Sequence, residues 1–400
     1  MDIVIIGGGA SGLTAAITAS KNKQNKVTLI EKNQILGKKI LATGNGKCNY
    51  YNSDQNIIHY NSTNNNLIKE IINPENTKKV EDFFSNLGII PKIKNGYYYP
   101  FSNQATTIKN ALVNEVEKNT KILTETIVED ITKENNKFLI KTNNGIIKAD
   151  KVIIATGSKA APKTGSDGFG YKLLKNLGHT IIDVLPALVQ VKTKGKFLKD
   201  WSGIRTDVDA SLYINDKLIK QESGEIQLTN YGVSGICIFN LSRFIPIALK
   251  NNDKVEIKIN FLPFTKEVDN LLKSLSNDKN ITKTLEGILN NKLVSVILNQ
   301  SSINKEKSYN ELSFKEKEIL LNNLSNFKLE VIGTNSYEES QVCSGGVPLT
   351  EINLKNMESK LIKNLHIVGE LLDVDGDCGG YNLTFAWISG LLAGKSDNND

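Results

Sequence analysis

The opening of the chain constrains its fold most. Met1-Asp2-Ile3-Val4-Ile5-Ile6 is an apolar-rich run that leads into Gly7-x-Gly9-x-x-Gly12. A helical pattern follows from Leu13 to Ala19, then a second apolar run, Lys26-Val27-Thr28-Leu29-Ile30, and then Glu31. Glycine turns of this kind occur in many α/β units. Strand, turn, helix, strand and acid in this order are what a dinucleotide site requires. Gly7 allows the tight turn, Gly9 lets the backbone approach a pyrophosphate, and Gly12 lets the helix pack close to the strand. The helix N-terminus carries about half a positive charge towards the phosphates. Glu31 lies about twenty residues beyond the last of these glycines, where a carboxylate accepts hydrogen bonds from ribose hydroxyls. It would repel a 2′-phosphate, so an NADP-type adenosine is disfavoured there. The stretch alone leaves FAD and NAD open.

Four hundred residues suffice for two or three domains with a substantial core. At 40% hydrophobic and 23% charged, the composition is that of a soluble globular protein. No apolar run approaches a membrane span. The first strand leaves no room for a signal peptide, so a cytoplasmic location is expected. The net charge of +6 permits an anionic partner such as RNA. However, the only arginines are Arg205 and Arg243, and a phosphate-reading surface favours arginine. The lysine surplus, alongside abundant asparagine and isoleucine, fits a genome-wide bias as well. Cys48, Cys237, Cys343 and Cys378 are far apart and form no CxxC, which argues against a disulfide framework or a zinc site. His59, His179 and His366 are equally scattered, and His366 reads as a core residue. Asp373, Asp375 and Asp377 invite a calcium reading. An EF-hand loop counted from Asp373 would place Cys378 and Thr384 where glycine and glutamate are needed, so no metal is expected.

Along the chain, Gly37 to Asn49 is a turn-rich segment whose glycines at 37, 44 and 46 permit close backbone approach to a flat or charged ligand. Its position directly after Glu31 and Lys32 favours a cofactor-lining role over that of a plain surface loop. Residues 50–66 read as loop or short helices. Helices are expected over Glu75–Leu87, stopped by Gly88, and over Thr106–Glu117. Tyr97-Tyr98-Tyr99 reads as a packing strand. Three strand-like runs, at 122–123, 127–131 and 138–142, carry hairpin signals at Asn135-Asn136 and Asn143-Asn144-Gly145. A buried strand then ends in Ala155-Thr156-Gly157, where small residues let the backbone run against a nucleotide. Asp167 is a good N-cap for a helix through Leu177. From about Val189 the pattern changes to period-two strands, followed by a helical stretch over 265–325 and a strand from Phe327. The expected domains are 1–189 and 336–400 together, interrupted by a β-barrel with a helical cap at 190–335. The last segment holds a buried strand ending in Gly369-Glu370 and an apolar helix over Leu383–Ala393.

Gly37-Lys38-Lys39-Ile40-Leu41-Ala42-Thr43-Gly44-Asn45-Gly46-Lys47-Cys48-Asn49 and Asp373-Val374-Asp375-Gly376-Asp377-Cys378-Gly379-Gly380-Tyr381-Asn382-Leu383 resemble the signatures of the BaiN/RdsA-type bacterial flavoproteins. Pro162–Ser166, Tyr231–Gly235 and Gly345–Val347 add to a likeness that covers essentially the whole chain. It implies a glutathione-reductase-type FAD-binding Rossmann domain with an inserted β-barrel plus helical domain. It also implies FAD, with the pyrophosphate at Gly7, Gly9, Ser11 and Gly12 and the adenosine ribose at Glu31. Lys39, Thr43, Gly44, Asn45 and Cys48 approach the flavin or pyrophosphate, Lys32 joins the cofactor-binding set, and Val128 becomes a backbone partner for adenine. Gly369 and Glu370 correspond to the strand end that meets the ribityl chain. Asp375, Gly379, Gly380, Tyr381, Asn382 and Leu383 fall at or near the pyrimidine edge of the flavin. A helix starting near Asn382 would aim N–H groups at the negative charge of reduced flavin.

There is no second GxGxxG, so NAD(P)H, if used, must dock transiently over the flavin. Residues 43–49 hold a single cysteine and lack the pair of a disulfide reductase; Cys48 remains a candidate proton donor. The leading expectation is NAD(P)H-driven reduction of an activated C=C bond, with a uridine of 23S ribosomal RNA as substrate and the insert as the RNA-facing surface. An oxidase of a small amine such as aminoacetone is the alternative, and a non-catalytic flavin-bound RNA-binding protein is a third class. The oligomeric state is not legible.

Overall fold

The computed structural model describes residues 1–276 and 279–395. Asn277 and Asp278, inside the stretch expected to be helical, and the final residues 396–400 lie outside the described residues. The chain divides into two compact units, Met1–Leu185 with Gln341–Asp400, and Pro186–Ser340.

The first unit is built on a parallel sheet. Strand β1 (Asp2–Ile6) pairs with β2 (Lys26–Ile30) on one side and with Lys151–Ile154 on the other, Ile5 lying opposite both Leu29 and Ile153. Thr120–Leu123 continues the sheet beyond β2, and Leu365–Ile367 continues it beyond Lys151–Ile154. Two short antiparallel strands, Ile352–Asn353 and Glu358–Ser359, close that edge. The central strands are apolar and buried; the helix over 10–19 packs against them, and so do the antiparallel strands at 137–142 and 145–149. Helix α1 (Ala10–Ala19) is rich in small residues, and the final helix, Tyr381–Gly394, runs beside it in the same direction. A Cβ at Gly390 would press on the Ser11 carbonyl oxygen, and one at Gly394 on that of Ala15. The two backbones are therefore nearly in contact, and only glycine allows that approach.

The expected helices form with small shifts at their ends, as Pro74–Asn86 and Ala105–Glu117, and Gly88 takes the left-handed conformation after the first. Two readings change. Ile122-Leu123 belongs to the parallel sheet, while the hairpins join Val128–Glu134, Lys137–Thr142 and Gly145–Ala149. Parallel neighbours far off in sequence claimed the first run. Asp167 also stands one residue outside the cap. The N-cap of helix Phe169–Asn176 is Gly168, and Asp167 Oδ1 accepts the Phe169 N–H at 3.0 Å.

The second unit is a closed six-stranded antiparallel barrel with several helices. Its strand order is Val191–Thr193, Gly232–Ser234, Lys217–Leu228, Arg205–Ile214, Val255–Asn260 and Phe327–Thr334, and the last pairs back with the first. Alternate side chains such as Val208, Ala210 and Leu212 fill the interior, with Trp201 fully buried. Lys217–Leu228 was not expected as a strand. Its alternation is carried largely by polar residues, a weak signal without the pairing partner.

His366 is a core residue. Its Nδ1 lies 2.8 Å from the Asn356 carbonyl oxygen, and burial, with Lys151 nearby, pushes the imidazole down to about 3. Between the unperturbed value of about 6.5 and about 3, the unfolded chain binds a proton that the folded chain refuses. Stability attributable to this group therefore falls with falling pH across that window, by about 1.4 kcal/mol per pH unit. His366→Gln is expected to flatten the acid limb of a urea-denaturation stability curve between those limits. A limb as steep as that of the parent would show that other groups set it.

Candidate functional site

The glycine turn is held on three sides. Gly7 (φ +107°) donates its N–H to the Ile30 carbonyl at 2.8 Å, and any Cβ there would strike the Ala155 carbonyl oxygen. A Cβ at Gly12 would collide with the Gly7 carbonyl oxygen. The turn thus runs against Ala155 and Thr156. Gly9, the N-cap of α1, faces open space, with nothing near its missing Cβ. No side chain caps α1 and no acid stands in its first turn, so its donors remain for a ligand.

Glu31 stands beside this N-terminus, 9% exposed. Its Oε2 accepts the Gly8 N–H at 2.8 Å, and its Oε1 accepts both the backbone N–H and the side-chain amide of Asn33, at 2.8 and 2.7 Å. A carboxylate offers about four acceptor positions, so one on Oε2 remains for a hydroxyl. Thr126 N–H donates to the Glu31 carbonyl at 3.0 Å, which anchors the strand beginning at Val128 near the acid. Lys32 pairs with Asp167 at 2.7 Å.

A second cluster forms around Glu370. Its Oε2 pairs with Lys39 Nζ at 2.8 Å, while Oε1 accepts Ser158 Oγ–H at 2.7 Å and Cys343 N–H at 3.1 Å. Tyr171 O–H donates to the Glu370 carbonyl at 2.9 Å. The preceding Gly369 (φ +67°) donates to Ser389 Oγ at 3.0 Å and lies against Ser11 in the first turn of α1. Ser11, Lys39, Gly369 and Glu370 are thereby gathered from both ends of the chain. Gly157 (φ +74°) packs on Ser166 instead.

The third cluster surrounds the start of the final helix. Gly380 (φ +96°) is its N-cap, again with no side-chain cap and no acid in the first turn. Asn382 pins the preceding loop: its Oδ1 accepts Gly376 N–H at 2.8 Å and its Nδ2 donates to the Gly376 carbonyl at 2.7 Å. Asn52 Nδ2 donates to the Gly379 carbonyl at 2.9 Å, Tyr97 lies against Gly379, and Asn49 and Tyr51 lie against Gly380. Tyr99 lies near Gly44, so the aromatic strand reaches both signature segments. Asn382→Ala removes both bonds and is expected to cost about 1–3 kcal/mol in chemical denaturation; a cost below half of the lower figure would show that the loop holds itself.

Each of the three aspartates has partners within the protein. Asp373 Oδ2 accepts three hydrogen bonds from Ser62 and Thr63, Asp375 pairs in a short strand with Asn61, and Asp377 meets His59. Gly44 and Asn45 are exposed in left-handed conformations, Thr43 and Leu383 are half-buried. Cys48 is fully enclosed, and burial pushes its thiol up to about 12. A serine–histidine–acid alignment, unforeseen in the sequence, joins Ser359 Oγ, His179 and Glu351 at 2.9 and 2.7 Å. Ser359 is 4% exposed and its Oγ also accepts the N–H groups of Leu361 and Ile362, so this set locks a turn. Asn33, Asn52, Ser158, Tyr171, Cys343 and Ser389 were also missed. Each lies in a segment whose local pattern carries no sign of its remote partner.

The residues fit an adenine dinucleotide: open space at Gly9, uncapped helix donors behind it and a ribose-type acceptor in Glu31. A parallel sheet bearing this turn defines a Rossmann-type dinucleotide-binding protein. Residues 1–396 match the family model described as HI0933-like protein Rossmann domain, and the chain belongs to that family, whose members are FAD-dependent oxidoreductases. It is 36% identical over 402 residues to the 3-dehydro-bile acid delta(4,6)-reductase of Clostridium scindens, covering 98% of each chain. It is 28% identical over 407 residues to the ribosomal RNA dihydrouridine synthase of Haemophilus influenzae, covering 98% of this chain and 97% of that one. The protein of the same name from Escherichia coli is 26% identical over 410 residues, 99% of each.

Proposed function

We propose that the chain uses FAD and NAD(P)H to reduce a carbon–carbon double bond conjugated to a carbonyl, with a uridine of 23S ribosomal RNA as the favoured substrate. One observation carries the reading. Gly390 lies against Ser11, so the final helix begins nine residues before that contact and extends roughly 12 Å beyond the N-terminus of α1. Two positive helix ends thus lie at staggered levels of one unit, one suited to a pyrophosphate and one to the anionic edge of a reduced ring.

Bound FAD would supply the two-electron chemistry. Gly7, Gly9, Ser11 and Gly12 would hold its pyrophosphate, and Glu31 its ribose. Lys32, Val128, Ala155, Thr156 and Gly157 would border the adenosine. Lys39, Thr43, Gly44, Asn45, Cys48, Gly369 and Glu370 would border the middle of the molecule. Asp375, Gly379, Gly380, Tyr381, Asn382 and Leu383 would border the flavin. Cys48 is too deeply enclosed to be favoured as the proton donor.

The names of the relatives support the bond type, since a delta(4,6)-reductase and a dihydrouridine synthase both saturate carbon–carbon double bonds. The higher identity to the reductase favours a second substrate reading, a small conjugated dienone. Purified protein with NADPH is offered unmodified 23S RNA transcript or a steroid 4,6-dien-3-one. Dihydrouridine in the RNA supports the first reading, and consumption of the steroid alone supports the second. Rapid peroxide release from aminoacetone without NADPH, with neither product formed, overturns both in favour of an oxidase.

A further inference from the structure

His59 is the one histidine held by two carboxylates. Its Nε2 lies 3.1 Å from Asp54 Oδ2 and its Nδ1 lies 3.2 Å from Asp377 Oδ2. The ring stacks on Tyr381 at 4.5 Å between centroids and 16° between planes, and Tyr381 meets Tyr60 edge-on at 5.5 Å. Asp377 also donates its backbone N–H to the His59 carbonyl at 2.9 Å, so the ring is fixed relative to the loop before the final helix. The three groups differ in their access to water. Asp54 has a side chain 61% exposed, His59 is partly covered, and the Asp377 carboxylate is buried. Among the described interactions the groups facing the imidazole are these two aspartates and the ring of Tyr381, which Tyr60 meets in turn; no lysine or arginine is paired with it.

An imidazole can take a proton on one ring nitrogen and release one from the other. A file of acid, imidazole and acid running from water to the interior is therefore a path for protons. Saturating a double bond needs one, because the hydride adds to one carbon and a proton must reach the other. The electron pair comes from NAD(P)H, which leaves as NAD(P)⁺, and the proton comes from solvent. We infer that Asp54, His59 and Asp377 form a proton relay that feeds the loop 377–382, with His59 and Asp377 acting as positioning and supply residues. This rests on the reductase reading. It assigns to Tyr381 a further task, since its ring holds the plane of His59 while its backbone opens the final helix.

The test separates the two half-reactions in the FAD-loaded enzyme. Bleaching by NADPH is followed first, then reoxidation by 23S RNA transcript or the steroid dienone, whichever the parent enzyme reduces. His59→Ala is expected to bleach at the parent rate but to reoxidise about 10²-fold more slowly, with a changed pH profile and recovery on addition of imidazole. Asp54→Asn, at an exposed position, is expected to slow reoxidation several-fold and to enlarge its solvent deuterium isotope effect. Unchanged reoxidation and pH profile in both variants overturn the relay while the reductase reading stands. Equal slowing of bleaching and reoxidation in His59→Ala, without imidazole recovery, also overturns it and marks a structural role. If the parent itself reduces neither acceptor, the reductase reading fails and the relay falls with it.

Discussion

Gly12→Ala is expected to yield protein that is largely unfolded or colourless, whereas Gly9→Ala should fold normally and lose flavin. The difference follows from what the added methyl meets. At Gly12 it would strike the Gly7 carbonyl oxygen, a backbone atom held by the Gly7 N–H bond to Ile30 and by the wall of Ala155. Neither side can yield without moving β1 or α1, so the cost exceeds ordinary overpacking and is about 3 kcal/mol or more. At Gly9 the methyl meets no protein atom and φ is −83°, a conformation open to any residue. It would stand only in the space left for a ligand. Thermal unfolding and the visible flavin spectrum of the two variants decide the matter. A Gly9→Ala protein that retains full flavin affinity would show that the pyrophosphate does not lie there.

Glu370→Ala is expected to be the most damaging side-chain change at the site. The carboxylate, 17% exposed, joins Lys39, Ser158 and the Cys343 N–H, which come from three separate segments. Removing it strands a partly buried ammonium and a backbone donor, at a cost of about 2–4 kcal/mol, somewhat below that of a fully buried pair. Glu370→Gln keeps the acceptor for Ser158 and Cys343 and should lose roughly half as much. Urea denaturation gives both values. A loss under about 0.5 kcal/mol for the alanine variant would place Glu370 among surface ion pairs.

Much of the fold was legible because its signals are local. Gly7, Gly9, Gly12 and Glu31 fall within a single strand–helix–strand unit, and each has a backbone reason for its identity. The helix ended by Gly88 and the hairpins at Asn135 and Gly145 carry their turn chemistry within a few residues. The barrel was visible through strands such as Val255–Ile259, with strict alternation, but not through Lys217–Leu228, whose identity depends on pairing with Arg205–Ile214. Around the site, what could not be read was partnership. Nothing near Ser158 announces Glu370, and nothing near His59 announces Asp377, 318 residues away. The serine–histidine–acid alignment of Ser359, His179 and Glu351 likewise exists only once a strand edge and a turn have met.

The close seating of Gly390 and Gly394 on α1 has a consequence for synthesis. Until the ribosome has released those residues, the parallel sheet lacks its strand at Leu365–Ile367, which pairs with Lys151–Ile154, and α1 lacks the helix seated on it. The barrel, whose strands are contiguous in the transcript, can mature while the amino-terminal segment waits. A nucleotide site that draws on both helix starts can then close only after residues 381–394 have been made, so a chain cut before Tyr381 is expected to yield a well-formed barrel and an incomplete first unit.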